Sequence, residues 1–304
     1  MAIVVAEKLF EMFVIIVVGF AAFRFRLIDA HSNQRLSNLL LMIVSPCLIF
    51  DSYQIEFRQE LFSGLLYAVG AAALTYVVCI GLSEVMISRK KQDSEIEKIA
   101  AVYSNCGFIG LPLIDGILGA KGVFYMTAYI TVFNILIWTH GLAVIGASGN
   151  LRTLCRNLCT PAIIAILLGV VCFLLRFRVP EVLGAPIEMI GNMNTPVAMI
   201  VAGANLAQSD ILKSLKNPRV YYISFLKLVL LPLASLAVLA LLPVEFDVLF
   251  SIFIAVACPT GAMGIMFAER YGKNARYATE LFIITTVMSV VTIPLLAAVA
   301  GWVL

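Results

Sequence analysis

Apolar positions in this chain neither recur with the period of a helix face nor alternate as in a strand; they run on for long stretches. Segments of about 20 residues, the length of one bilayer crossing, lie near 8–26, 36–54, 61–87, 97–119, 121–147, 157–177, 184–208, 219–242, 245–269 and 275–302, separated by short polar turns. A backbone in hydrocarbon must satisfy its own N–H and C=O groups, so each segment is expected to be a helix. The pattern predicts an all-α polytopic membrane protein with ten transmembrane helices. Gly, Pro and Asn interrupt the fourth, seventh and ninth segments. Glu7 and Lys8 precede the first, and no small-residue cleavage pattern follows it, so it reads as a retained helix.

Composition excludes the other classes. Of 304 residues 62% are hydrophobic and 13% charged, with a mean hydropathy of +1.02, far from a soluble domain. The net charge of +3 comes from 21 basic and 18 acidic residues, without a basic run dense enough for nucleic acid. Seven cysteines form no CxxC pair and read as small core-filling thiols; with only His31 and His140 beside them, no Cys/His metal set can be assembled. No cofactor is expected, and the partner is the lipid bilayer.

Charge matters by location. Fifteen Lys and Arg fall in the loops between segments 1–2, 3–4, 5–6, 7–8 and 9–10, five fall on the opposite side, and Lys227 lies inside the eighth segment. The positive-inside rule places those five loops in the cytoplasm and both termini outside, in a multi-pass protein of the plasma (inner) membrane.

The two halves correspond. Pro46, in IVSPCLIF, and Pro196, in NMNTPVAM, are 150 positions apart; the fourth segment reads SNCGFIGLP and the ninth ACPTGAMG, with Gly119 and Gly272 near their ends 153 apart. Two near-equal offsets suggest a duplication, residues 1–150 forming one five-helix repeat and 151–304 the second. Because five is odd, the second copy is inverted, an arrangement that in secondary transporters sets a binding site at the midplane.

Gly107, Gly110 and Pro112 fall in the middle of the fourth segment, and Cys258, Pro259 and Gly261 in the middle of the ninth. Pro removes a donor and Gly frees the backbone, so both helices should break there. Backbone groups freed at that depth are tolerated where protein buries them or where they line a wet cavity. Pro112 and Pro259 are expected as first residues of outgoing half-helices, whose N-termini favour an anion, by about 0.3–1 kcal/mol each when exposed. A carboxylate is the natural guest.

Asn105 and Thr260 border the two breaks and are expected to contact it; Asn134, Asn194 and Thr195 could do so or bond neighbouring helices. Ionisable groups inside the bilayer are functional candidates by default. Lys227 could attract the anion, pair with an acid, or snorkel to the cytoplasmic surface. Glu84, Glu280 and His140 are candidates for proton coupling, set against interface exposure for the two acids and packing for the histidine. A sodium site is not legible, and the coupling ion is left open, as is a homodimer.

The run Asn105-Cys106-Gly107-Phe108-Ile109-Gly110-Leu111-Pro112, with CPTGAMGIMFAERYG, SVVTIPLL and SPCLIF, resembles the auxin efflux carrier family of the bile-acid, arsenite and riboflavin transporter superfamily. The resemblance implies two inverted five-helix repeats with helices 4 and 9 crossing at the bilayer midplane, and a substrate site at that crossing bordered by Asn105 and the backbone around Pro112 and Pro259. It also implies a small organic acid as substrate: malate or malonate as for prokaryotic members, or a weak acid such as auxin. The long hydrophilic central loop of many plant members is absent, and the second break carries a single proline, Pro259.

The expected function is secondary transport of a small organic anion by alternating access, not enzymatic catalysis. An anion channel is one alternative. A membrane-embedded serine hydrolase is another, since Gly146-Ala147-Ser148-Gly149 reads as a GxSG; yet His140 is about 12 Å from Ser148 along one helix, too far for a nucleophile–base bond. No Walker-type motif is present, which argues against a primary pump.

Overall fold

The computed structural model describes residues 2–89, 91–146, 159–208 and 217–304, and they are nearly all helical. In chain order the helices are α1 (Ala2–Arg24), α2 (Ala30–Ser52), α3 (Gln59–Met86), α4 (Ser94–Val102), α5 (Cys106–Val144) and α6 (Pro161–Leu174). They continue with α7 (Glu181–Gly191), α8 (Asn194–Gln208), α9 (Pro218–Leu239), α10 (Phe246–Ala257), α11 (Met263–Arg270) and α12 (Ala275–Val303). Among the described residues α2, α3, α5, α9 and α12 are each long and apolar enough to cross a membrane, and α5 is two helical pieces separated at Gly119, whose φ of +60° and ψ of −153° are not helical.

Proline shapes these helices without ending them. In α2, α5 and α9 a widened π-type turn, Leu40–Val44, Cys106–Gly110 or Leu226–Leu230, comes immediately before a Ser-Pro or Leu-Pro pair at Pro46, Pro112 or Pro232. In each, the residue ahead of the proline donates its N–H five positions back, to the carbonyl of Leu40, Cys106 or Leu226. The proline ring would otherwise press on the carbonyl four positions before it, and the wider turn relieves that clash. Pro112 therefore does not begin a half-helix. The chain starts turning at Cys106, six residues earlier, and α11 starts at Met263, four residues after Pro259. The expectation that these two prolines open the outgoing half-helices is corrected accordingly.

Glycine sets how closely helices approach. A Cβ on Gly203 would stand 2.0 Å from the Ile16 carbonyl oxygen, and one on Gly19 would stand 2.3 Å from that of Ile200. Backbones of α1 and α8 are thus in direct contact. Helix α2 packs on α6 and α7, where Gly169 makes room for the Tyr53 ring and Gly191 for the Leu48 backbone. Helices α1, α2, α6, α7 and α8 form one packed group. A second contains α3, α4, α5, α9, α10, α11 and α12, and the groups meet where α1, α2 and α8 touch α5 and where α1 touches α12.

The second group holds most of the buried aromatic rings, including Tyr76, Tyr103, Phe124, Tyr129, Phe250 and Phe253. Large apolar side chains such as Val85, Leu167, Val182, Leu241 and Trp302 point outward. A surface this apolar is unsuited to water and suited to lipid.

Candidate functional site

Helix α4 ends at Val102 and α10 at Ala257, and the non-helical segments that follow them, 103–105 and 258–261, lie against each other. They run antiparallel, with Ser104 opposite Thr260. The Asn105 N–H donates to the Pro259 carbonyl at 2.7 Å, and the Gly261 N–H donates to the Tyr103 carbonyl at 2.9 Å. The hydroxyls complete the exchange: Ser104 Oγ donates to the Val256 carbonyl at 3.3 Å and Thr260 Oγ1 to the Ala100 carbonyl at 2.9 Å. A helix that stops leaves its last carbonyls without partners, and here each break supplies a hydroxyl to the last turn of the other inbound helix.

One register governs these bonds. From 100 to 256, 103 to 259, 104 to 260 and 105 to 261 the step is always 156. The same step separates Cys79 from Ser235, whose Sγ and Oγ lie 3.6 Å apart. It also relates Tyr129, whose hydroxyl is 3.5 Å from Ser104 Oγ, to Thr285, whose Oγ1 accepts the Thr260 N–H at 3.3 Å. Gly261 eases this approach, since a Cβ there would stand only 3.2 Å from the Ser104 carbonyl oxygen. Gly110 lets the Cys258 thiol pack on the first turn of α5, its would-be Cβ 3.2 Å from Sγ.

Asn105 occupies the N-cap position of α5. Asparagine there normally turns its side chain onto a first-turn N–H, yet it makes no capping bond. Among the described residues its carboxamide has no hydrogen-bond partner. The first N–H groups of α5 have none within their helix either. Beside them Gly107 is half-buried, and a Cβ built on it meets nothing within 4 Å. This turn thus combines first-turn N–H groups that have no intrahelical partner with open space next to Gly107. Helix α8 packs against the same turn. At the start of α8, Thr195 is half-buried, and buried Asn194 accepts the Ser45 hydroxyl at 2.7 Å while its Nδ2 has no partner.

The other sequence candidates scatter. Cys258, Pro259 and Thr260 are buried inside the crossing, and Pro112 is buried in α5. Asn134 spends an amide proton on the Ile130 carbonyl of its own helix. Lys227 is 1% exposed, donating from Nζ to Ser104 Oγ at 2.6 Å and towards the Val256 carbonyl at 3.4 Å. It neither snorkels nor, among the described residues, pairs with an acid. Glu84 holds Lys98 and Arg89 at 2.7 and 2.8 Å, and Glu280 holds Arg276 at 3.2 Å. His140 Nδ1 is 2.8 Å from the Tyr103 hydroxyl. Ser148 lies outside the described residues.

A buried cluster escaped sequence reasoning. Glu97, 1% exposed, accepts two bonds from Arg219, each at 2.7 Å, and a third from the Tyr277 hydroxyl at 2.8 Å, tying α4 to α9 and α12. These residues and Glu280 border a cavity of about 380 Å³. Glu97 and Arg219 each begin an apolar segment, a place where charge usually just meets water, and no linear pattern pairs them.

Residues 4–153 and again 148–297 match the family described as membrane transport protein, Mem_trans. The chain is 25% identical to the uncharacterized transporter YfdV of Escherichia coli (strain K12), covering 94% of this chain and 95% of that one. It is 23% identical to an uncharacterized transporter of Methanothermobacter thermautotrophicus, covering 96% and 97%. The chain thus belongs to the membrane transport protein family, that of the auxin efflux carriers, and is a multi-pass membrane transporter.

Proposed function

We propose that the protein is a secondary transporter of a small organic anion, bound where the two helix breaks cross. The observation that carries this reading is the Asn105 carboxamide, which among the described residues has no hydrogen-bond partner, at the N-terminus of α5 beside the open space at Gly107. An amide and a set of first-turn N–H groups offer donors to a carboxylate, and the helix end adds partial positive charge. The resemblance to the auxin efflux carriers points to the same chemical class: malate, malonate or an auxin-like acid.

The repeated family match and the constant step of 156 support two inverted five-helix repeats, 1–150 and 151–304. On this reading α4 with the first part of α5, and α10 with α11, are the broken fourth and ninth helices, parted from the fifth and tenth at Gly119 and Gly272, both with left-handed φ (+60° and +63°). The two helix groups meet at α5, so movement of one against the other opens the crossing alternately to each side. The basic loops face the cytoplasm and both termini face outward.

Outward release of an anion can run on the membrane potential alone, which contributes about 2.3 kcal/mol per charge per 100 mV. Proton coupling through Glu84 or Glu280 would weaken the ion pairs that each carboxylate makes, whereas His140 can take a proton on the ring nitrogen that does not face Tyr103.

The test is uptake of labelled malate, malonate, succinate and indole-3-acetate by proteoliposomes under an imposed potential. Saturable flux of one acid without unitary currents is the expected result. Unitary currents would make the protein a channel, and absence of flux for every acid would end the organic-anion reading.

A further inference from the structure

The crossing is built twice over, but its charge is not. At each face an inbound helix ends with a carbonyl capped by the opposite hydroxyl, Val256 with Ser104 and Ala100 with Thr260. Both helix C-termini carry partial negative charge, and water cannot compensate it at this depth. In transporters built on broken helices, such ends and unwound carbonyls are where a coupling cation binds.

Here one face already contains a cation. Lys227 Nζ donates to Ser104 Oγ at 2.6 Å and approaches the Val256 carbonyl at 3.4 Å. The residue 156 positions before it is Ala71, also buried, so the Thr260 face has no equivalent. That face is completed by neutral groups: Thr285 Oγ1 accepts the Thr260 N–H and donates to the Leu281 carbonyl at 2.7 Å. The ammonium is delivered by the widened turn Leu226–Leu230, which the clash of Pro232 explains. Cys79, Cys106 and Cys258 are buried in the same core, and among the described residues no carboxylate pairs with Lys227. A lysine with no counter-ion at this depth is costly. The charge it meets is the negative end of α10 and the oxygens of the break.

We infer that the Lys227 ammonium is a tethered cation that takes the place of a bound coupling cation at the crossing, making the carrier independent of sodium. The inference rests on the crossing being the moving transport site, and it deepens that reading by naming what holds the site together and which ion the carrier does not need.

The experiment uses the purified full chain in lipid nanodiscs with no organic anion present, so a failure of the substrate reading leaves it unaffected. Melting is followed in chloride salts of sodium, lithium, potassium and choline at equal ionic strength. Wild-type protein should melt at the same temperature in all four. Lys227→Arg should stay close to it. Lys227→Ala should melt lower in choline and recover part of the loss in one of the small cations, which enters the vacated position. Sodium-specific stabilisation of the wild type would overturn the inference, as would a Lys227→Ala variant as stable as wild type in choline. If Lys227→Ala does not fold, the wild-type comparison of sodium with choline still decides.

Discussion

Ser104 and Thr260 face each other across an antiparallel bridge, and each gives its hydroxyl to the helix that leads into the other's segment. Two helices are thereby broken in the middle of the molecule, with the last carbonyls of both inbound pieces capped by hydroxyls. Thr260→Val keeps the shape but leaves the Ala100 carbonyl without its donor. A buried acceptor left unmatched costs about 1–3 kcal/mol, so the variant should melt several degrees below wild type. An unchanged melting temperature would show that the hydroxyl is not what holds the crossing.

Gly107 separates binding from folding. Since a Cβ there meets nothing within 4 Å, Gly107→Ala should leave the melting temperature of the ligand-free protein unchanged. Gly107→Leu should fill the space and weaken carboxylate binding at least tenfold, measured by competition with a labelled acid. Unimpaired binding in Gly107→Leu would place the ligand elsewhere.

The contact of α1 with α8 makes the opposite prediction for Gly203. A Cβ 2.0 Å from the Ile16 carbonyl oxygen cannot be accommodated by a side-chain rotation. Gly203→Leu must push the helices apart, and overpacking of this kind costs about 1–3 kcal/mol or more. Gly70→Leu, where a Cβ meets nothing within 4 Å, is the control. Size-exclusion profiles and melting curves should show loss of folded protein for the first and little change for the second.

Glu97 ties three helices together. Glu97→Gln leaves the Arg219 guanidinium, itself 26% exposed, without its carboxylate. Breaking a buried pair costs about 3–5 kcal/mol, and solvent access to Arg219 places this one nearer 2–3 kcal/mol. Because most of the loss is an unpaired charge, Glu97→Gln with Arg219→Met should be more stable than Glu97→Gln alone. A double variant whose losses simply add would show that the two groups do not couple.

Much of this was legible in sequence because hydrocarbon imposes simple rules. Runs such as 61–87 need no partner to be recognised as helices. The breaks were visible as glycine and proline clusters, but their positions were not. Pro112 drew attention to itself, whereas the helix begins at Cys106, because a π-type turn absorbs the proline instead of ending at it. The repeat offsets of 150 and 153, read from single prolines and glycines, miss the 156 that hydrogen bonding enforces at the crossing. Lys227 stood out as a charge in an apolar run, but its aim depends on the turn ahead of Pro232. The Glu97–Arg219–Tyr277 cluster depends on three helices meeting, which linear pattern does not encode.

The most direct test of the account is a thermal-shift titration of wild-type protein and Asn105→Ala against malate, malonate, succinate, lactate and indole-3-acetate. A ligand of the folded state raises stability by RT ln(1 + [L]/Kd). Wild type should show a saturable shift with one of these acids, lost in Asn105→Ala, with both proteins melting alike when no acid is present. A shift of equal size in Asn105→Ala would contradict the placement of the site at the crossing, and no shift with any acid would contradict the choice of a carboxylate.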